Sequence, residues 1–153
     1  MKYLIIYFSW SGNTKKLVEE INKEFNYDVV RLDRKIPYSK DYRTCAMVEA
    51  KEEVDQSIHP NINDLNVDVN AYDRILLFFP IWWYTFPMPV ATLIEKLKGY
   101  KGEVVVFANS YTNDPQYMEN SMNDLIELDS SINFTRGLFN RPIREHIDLI
   151  KGE

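Results

Sequence analysis

The chain has 153 residues, 45% of them apolar, and a formal net charge of −5. A chain of this size predicts one domain over residues 1–153. The net negative charge argues against a nucleic-acid partner, and no apolar run is long enough for a transmembrane helix. The single cysteine, Cys45, cannot form an internal disulfide and is interpreted as a buried structural residue. Since the N-terminus lacks a signal-peptide pattern, we expect a cytoplasmic protein, and two scattered histidines predict no metal site.

Strand-like and helix-like segments alternate along the chain. The predicted strands cover residues 3–8, 27–33, 74–79, 103–108 and 132–138. The predicted helices cover residues 14–25, 89–97 with Pro89 as the first helical residue, 118–126, a short segment from Pro142, and one stretch near 41–56 inside the polar region 35–72. Because parallel strands need crossover connections, this alternation predicts an α/β fold with a parallel sheet and helices on both faces.

A six-residue turn follows the first predicted strand and opens the first helix: Ser9, Trp10, Ser11, Gly12, Asn13 and Thr14. The first N–H groups of a helix lack internal partners and attract anions, and the hydroxyls and the amide of this turn add donors. The turn does not end in Gly-Lys-Ser/Thr, so it is not the loop that binds nucleoside triphosphates. It has one glycine, which excludes the dinucleotide-binding fingerprint, and no cysteine, which excludes a phosphatase with a thiolate nucleophile. It predicts a site for a terminal phosphate held by neutral hydrogen bonds, and a plain helix cap is the alternative.

Two further loops are expected to meet this turn, because ligands of an open parallel sheet bind outside the carboxyl ends of the strands. The loop after the third strand begins with Pro80, Ile81, Trp82 and Trp83. The loop after the fourth strand begins with Asn109, Ser110 and Tyr111. Aromatic side chains opposite a phosphate turn suit a planar heterocycle with a phosphate tail, although such loops also pack over helix ends.

These segments resemble short-chain flavodoxins and the small bacterial flavodoxin-like proteins close to them. Residues 7–14 are similar to the flavodoxin phosphate loop, with its Ser/Thr-x-Ser/Thr-Gly-Asn-Thr pattern, and residues 79–83 and 87–90 resemble the isoalloxazine loop and the next helix start. The spacing of the strands agrees over nearly the whole chain. The resemblance implies a flavodoxin-like three-layer sandwich, with the strand order 2-1-3-4-5 known for flavodoxin, and one non-covalently bound FMN in a single domain, 1–153.

The resemblance also implies roles for the loop residues. The phosphate would be held by Ser9, Trp10 through its backbone, Ser11, Gly12, Asn13 and Thr14. Pro80, Ile81, Trp82 and Trp83 would lie along the flavin ring, and Asn109, Ser110 and Tyr111 would close its other side. No side chain would be a catalytic acid or base, because the flavin carries the redox chemistry. The loop 109–117 has no glycine, which makes it stiffer and bulkier. We expect either that Tyr111 or Tyr117 stacks on the flavin ring, or that this loop narrows the pocket.

Three functional hypotheses follow from this resemblance. The first is a low-potential electron carrier, a monomer or weak dimer, whose basic redox partner proteins, a reductase and an acceptor, dock on an acidic rim. Between Lys101 and Arg136 the chain has only acidic charges: Glu103, Asp114, Glu119, Asp124, Glu127 and Asp129. The second is an FMN-dependent NAD(P)H:quinone-type oxidoreductase, and the third is a domain that has lost its flavin and binds only partners.

Overall fold

A computed structural model describes residues 1–152 and places a five-stranded sheet at the centre of the molecule. The strands are β1 (Tyr3–Tyr7), β2 (Asp28–Arg31), β3 (Arg74–Pro80), β4 (Glu103–Asn109) and β5 (Asn133–Phe139). All neighbouring strands are parallel, and their order is β2-β1-β3-β4-β5. The predicted parallel sheet and its strand order are therefore confirmed.

Helices connect the strands. They are α1 (Asn13–Phe25), α2 (Tyr42–Thr44), α3 (Lys51–Asp55), α4 (Met88–Lys96), α5 (Gln116–Leu128) and α6 (Ile143–Gly152). A π-helical turn, Cys45–Ala50, joins α2 to α3, so that residues 42–55 form one continuous helical segment, as predicted near 41–56. Within residues 1–152, no helix has both the length and the apolar character needed to cross a membrane.

The strand side chains point alternately into two apolar layers. In β1, Leu4 and Ile6 pack in the layer that contains α4 and α5, whereas Ile5 and Tyr7 pack in the layer that contains α1 and α6. Residues 75–79 of β3 are all buried, as expected for a parallel strand that is covered on both faces. The sheet thus lies between two helical layers, which confirms the three-layer sandwich.

Most element boundaries differ from the predictions by one or two residues, and the differences at β2 and α4 have a structural reason. Strand β2 is shorter than 27–33, because Arg31 pairs with Tyr7, the last residue of β1. Helix α4 begins at Met88 with Pro87 as its N-cap, so Pro89 is the second helical residue rather than the first. Both prolines lack an N–H group, which is tolerated here because the first N–H groups of a helix have no intrahelical acceptor.

Strands β1, β3 and β4 end at the same edge of the sheet, called here the carboxyl edge. The chain leaves β1 for β2 on one side and later returns to β3 on the other side of β1, so that the strand order reverses between them. Residues 8–12, 81–87 and 110–115 are the loops that leave these three strands. Such a reversal opens a crevice between loops, which is where ligands bind in open parallel sheets.

His146 is buried among aromatic rings in the layer of α1 and α6. Its side chain is 1% exposed, and its ring centroid lies 5.6 Å from that of Phe107. Its Nδ1 donates to the carbonyl oxygen of Pro142 at 3.0 Å, whereas its Nε2 has no hydrogen-bond partner among residues 1–152. Burial lowers the pKa of His146, and the imidazole is therefore neutral in the folded protein.

We predict that acidification destabilises the protein through His146. The unfolded chain binds this proton near its ordinary pKa of about 6.5, and the folded chain binds it only at lower pH, so stability is lost as the pH falls below about 6.5. Urea titrations at about pH 7.5 and about pH 5.5 measure how much the free energy of unfolding falls on acidification. This fall should be about 1 kcal/mol smaller for His146→Gln than for the parent chain. An unchanged pH dependence in His146→Gln would contradict this assignment.

Candidate functional site

A cleft of about 640 Å³ opens at the carboxyl edge, within the range of small-molecule sites. It is lined by ten of the thirteen residues predicted from the sequence: Trp10, Ser11, Asn13, Pro80, Ile81, Trp82, Trp83, Asn109, Ser110 and Tyr111. The other three, Ser9, Gly12 and Thr14, lie in the same turn, and Ser9 and Thr14 are buried. The fold therefore brings the three predicted loops to one place.

The turn before α1 has the backbone geometry of an anion site. Gly12 has a φ of 98°, a left-handed conformation that side chains disfavour, and it is the N-cap of α1. Its carbonyl oxygen accepts from the N–H of Lys16 at 3.0 Å, which starts the helical ladder. The first turn of α1 holds no acidic side chain. The helix start therefore presents N–H groups without intrahelical acceptors, at the positive end of the helix dipole.

The Ser9 hydroxyl is buried in this turn without a partner. Ser9 is 4% exposed, and its Oγ makes no hydrogen bond within the described part of the chain. Its carbonyl oxygen accepts from the Arg31 guanidinium at 2.9 Å, which holds the backbone in place. Because a buried hydroxyl without a partner costs free energy, the Ser9 side chain is suited to a ligand oxygen that would complete its hydrogen bonding.

Two hydrogen bonds tie the turn to the loop after β4. The Thr14 hydroxyl donates to the Asn109 side-chain oxygen at 2.9 Å, and the Asn13 amide donates to the Tyr111 hydroxyl at 2.8 Å. The loop is also held by Asn140, the residue after β5, whose side-chain oxygen accepts from the N–H of Ser110 at 2.7 Å. Asn140 carries no local sequence signal for this role, because its contact depends on β4 and β5 being neighbours.

The aromatic loop after β3 contains a tight reversal. Trp83 and Tyr84 have φ values of 51° and 73°, and the N–H of Trp82 donates to the carbonyl oxygen of Thr85 at 2.8 Å. Such two-residue turns usually contain Asn and Gly, so large aromatic residues here are strained. The indole N–H of Trp83 donates to the carbonyl oxygen of Ala46 at 2.7 Å, a contact that helps to hold the strained conformation.

Comparisons with known proteins agree with this geometry. The family model described as Flavodoxin matches residues 2–148. The chain belongs to the flavodoxin family. A flavoprotein from Lactobacillus acidophilus, solved in complex with FMN, is 28% identical to this flavodoxin, with a TM-score of 0.79 over 91% of this chain and 93% of that chain. A candidate flavoprotein from Bacteroides eggerthii is 27% identical, with a TM-score of 0.80 over 98% of both chains.

Solved structures with lower sequence identity are similar to this chain in fold alone. A WrbA-like flavodoxin from Agrobacterium tumefaciens is 11% identical, with a TM-score of 0.57 over 95% of this chain and 88% of that chain. No match was found among curated proteins. The family assignment of this flavodoxin therefore rests on the family model, and the closer solved structures agree with it.

One wall of the cleft was missed by sequence reasoning. The helical segment 42–55 contributes Tyr42, Cys45, Ala46, Met47 and Ala50 to the lining. Tyr42 is 70% exposed and Met47 is 51% exposed. The available sequence signal was the presence of such large apolar residues within the polar region 35–72. Burial raises the pKa of the Cys45 thiol to about 11, which keeps it protonated and agrees with its interpretation as a structural residue. Tyr84, Thr112 and Tyr117 complete the lining.

A partly buried ionic network holds this segment against the rest of the flavodoxin. The Arg34 guanidinium donates to Glu53 at 3.0 Å and to Glu49 at 3.1 Å, and it lies 3.7 Å from the ring centroid of Tyr38. The Tyr38 hydroxyl donates to Glu53, and the Tyr38 ring packs edge-on at 5.1 Å from that of Trp82. Burial raises the pKa of Glu53, opposed by the hydrogen bonds from Tyr38 and Arg34. The network therefore connects the 42–55 segment to the aromatic loop.

The acidic residues of the stretch 103–129 are divided between the two ends of the molecule. Glu103 pairs with Arg74 at 2.7 Å, at the start of β3 and β4 and opposite the cleft. Glu119 is paired with Arg136. Asp114 lies at the start of α5, where its carboxylate accepts from the N–H of Gln116 at 2.9 Å. Because α5 runs away from the carboxyl edge, Glu127 and Asp129 lie at its far end.

We predict that Arg34→Met destabilises the protein by about 3 kcal/mol, because it leaves the Glu53 carboxylate buried without its cation. Adding Glu53→Gln to this variant should recover part of the loss, since the uncompensated charge is removed. The control, Arg144→Met, breaks an exposed pair with Asp148 and should cost about 0.5 kcal/mol or less. Urea unfolding of the three variants measures these differences, and equal losses for both arginines would contradict the role of the network.

Proposed function

We propose that this flavodoxin binds one FMN non-covalently in the cleft and transfers electrons between proteins. The observation that carries the proposal is the unpartnered hydroxyl of Ser9 in the turn that opens α1, where the first N–H groups lack intrahelical acceptors. A phosphate oxygen is the acceptor that such donors fit. The Lactobacillus acidophilus flavoprotein in complex with FMN, which is similar over nearly the whole chain, supports this choice of ligand.

Different residues of the cleft would bind the phosphate and the heterocycle. The turn residues Ser9, Ser11 and Asn13 and the N–H groups of α1 would hold the phosphate. Trp82 in the loop after β3 and Tyr117 in the first turn of α5 would cover the heterocycle and keep water from it. FMN supplies the redox chemistry when it is bound, and the protein determines its potential and its accessibility.

The absence of charge in the cleft favours an electron carrier over an NAD(P)H oxidoreductase. Within residues 1–152, none of the side chains that line the cleft is charged. Hydrogen bonds from neutral groups suffice for one phosphate at a helix start, but a nicotinamide dinucleotide brings a second phosphate group that needs donors of its own. The oxidoreductase remains the alternative function, because the apolar wall of Tyr42, Ala46 and Met47 suits a neutral aromatic acceptor such as a quinone.

We predict that Ser9→Ala weakens FMN binding about ten-fold while leaving the stability of the flavin-free protein within about 0.5 kcal/mol of the parent. The reason is that the hydroxyl has no partner to lose until the phosphate arrives. Fluorescence titration with FMN and urea unfolding measure the two quantities.

The control for Ser9→Ala is Thr92→Val, in α4. The Thr92 hydroxyl donates to the carbonyl oxygen of Pro60 at 2.6 Å, away from the cleft. This variant should show the opposite pattern, with about 1 kcal/mol less stability and unchanged FMN affinity. If Ser9→Ala loses stability but keeps its FMN affinity, the phosphate site is misassigned.

Direct reduction separates the two candidate functions. An oxidoreductase bleaches its flavin absorption with NADH or NADPH alone, whereas a carrier needs a reductase protein. We expect no bleaching of the FMN-loaded protein within minutes of mixing with either nucleotide. Rapid bleaching by one of them, followed by reoxidation with a soluble quinone, would favour the oxidoreductase.

We further propose that basic redox partners dock on the side of the cleft near Asp114. Negative charge at Asp114 would attract a basic partner. It would also disfavour the negatively charged reduced flavin, which lowers the reduction potential of the flavin. Asp114→Asn keeps a side-chain oxygen for the N–H of Gln116 but removes the charge. At low salt it should slow electron transfer to cytochrome c several-fold and flatten the salt dependence. Glu127→Gln, at the far end of α5, is the control and should leave the rate unchanged.

A further inference from the structure

Tyr111 is an exposed aromatic residue in the lining of the cleft. Its side chain is 93% exposed, and its ring makes no aromatic contact within the described residues. Its neighbours in the chain are nevertheless ordered by hydrogen bonds. The N–H of Ser110 donates to Asn140 at 2.7 Å, and the N–H of Thr112 donates to the Ser110 hydroxyl at 3.2 Å. The backbone therefore presents the Tyr111 side chain in a defined direction.

That direction leads to the phosphate turn. The Tyr111 hydroxyl accepts from the side-chain amide of Asn13 at 2.8 Å, and Asn13 is the first residue of α1. Within residues 1–152, the hydroxyl proton of Tyr111 has no acceptor. A hydroxyl that accepts one hydrogen bond becomes a better donor for a second one, because the bonds polarise each other. The free proton is therefore available to an anion at the start of α1.

Resting on the proposed binding of FMN, we infer that Tyr111 binds the phosphate end of the cofactor through its hydroxyl and does not stack on the flavin ring. The ring-covering role then falls to the aromatic residues that already contact one another beside the cleft. The centroids of Trp83 and Tyr84 are 6.4 Å apart, and those of Tyr84 and Tyr117 are 5.9 Å apart. Stacking by Tyr111 would require its hydroxyl to leave Asn13.

Tyr111 would thereby determine specificity. Its hydroxyl approaches the turn from the exposed side, whereas the Ser9 hydroxyl is buried within the turn. A donor that reaches only the phosphate contributes to the binding of FMN but not to that of riboflavin, which has the same ring and no phosphate. The preference of this flavodoxin for the phosphorylated flavin should therefore depend on the Tyr111 hydroxyl.

The test is a comparison of Tyr111→Phe with the parent chain for two flavins, FMN and riboflavin, by fluorescence titration of the flavin-free protein. Tyr111→Phe should weaken FMN binding about ten-fold, as expected for a lost hydrogen bond to a charged group, and change riboflavin binding less than about two-fold. Tyr117→Phe, which removes another hydroxyl from the cleft lining, is the matched control and should leave the ratio of the two affinities unchanged. Thermal unfolding of the flavin-free variants verifies that both fold.

Each other outcome overturns a distinct statement. Equal weakening of FMN and riboflavin by Tyr111→Phe, or no change in either affinity, would overturn the phosphate role of Tyr111. A Tyr111→Ala variant that weakens both flavins equally, while Tyr111→Phe has no effect, would assign the residue to ring stacking. If the parent chain binds neither flavin, the proposed function itself fails. If the parent chain binds FMN and the Tyr111→Phe ratio is unchanged, only the inference fails.

Discussion

Hydrogen bonds between loops that leave different strands are the constraint on which the site depends. The parallel sheet brings the ends of β1, β3 and β4 to one edge, but it leaves the loops themselves unpaired. The Thr14 hydroxyl donates to Asn109 and the Asn13 amide donates to Tyr111, which joins the start of α1 to the end of β4 and the loop that follows it. The cleft is therefore a product of contacts that span most of the chain, and its shape depends on all three loops being in place.

The chemistry of the cleft follows from neutral donors. A phosphate group carries up to two charges, and a lysine or arginine would be the simplest counterion. In the proposed site, the start of α1, the hydroxyl of Ser9 and the polar side chains around it would take that role. In the proposed electron carrier, a neutral lining would keep positive charge away from the heterocycle and so favour a low flavin potential. The same lining offers little to a second, highly charged cofactor.

The segment between β2 and β3 connects the two strands and also contributes to the cleft. It supplies one wall of the cleft, and its position depends on the partly buried network of Arg34, Glu49 and Glu53. Tyr38 links this network to Trp82 in the aromatic loop. Because Glu53 is buried and Arg34 is largely covered, these charges stabilise the arrangement only while all partners are present. The stability of this wall and the position of the aromatic loop are therefore coupled.

The sequence by itself determined the sheet, its order and the three loops of the cleft. Apolar runs such as residues 75–79 and the turn that contains Gly12 are local patterns, and the resemblance to flavodoxins extended them to a strand order. The tertiary structure alone decided what depends on distant residues: the wall from the 42–55 segment, the support from Asn140 and the hydrogen bond between Asn13 and Tyr111. It also divided the acidic stretch between two ends, because α5 runs across the molecule. Local patterns specify backbone conformation, whereas side-chain partners far apart in the chain are specified only when the strands have paired.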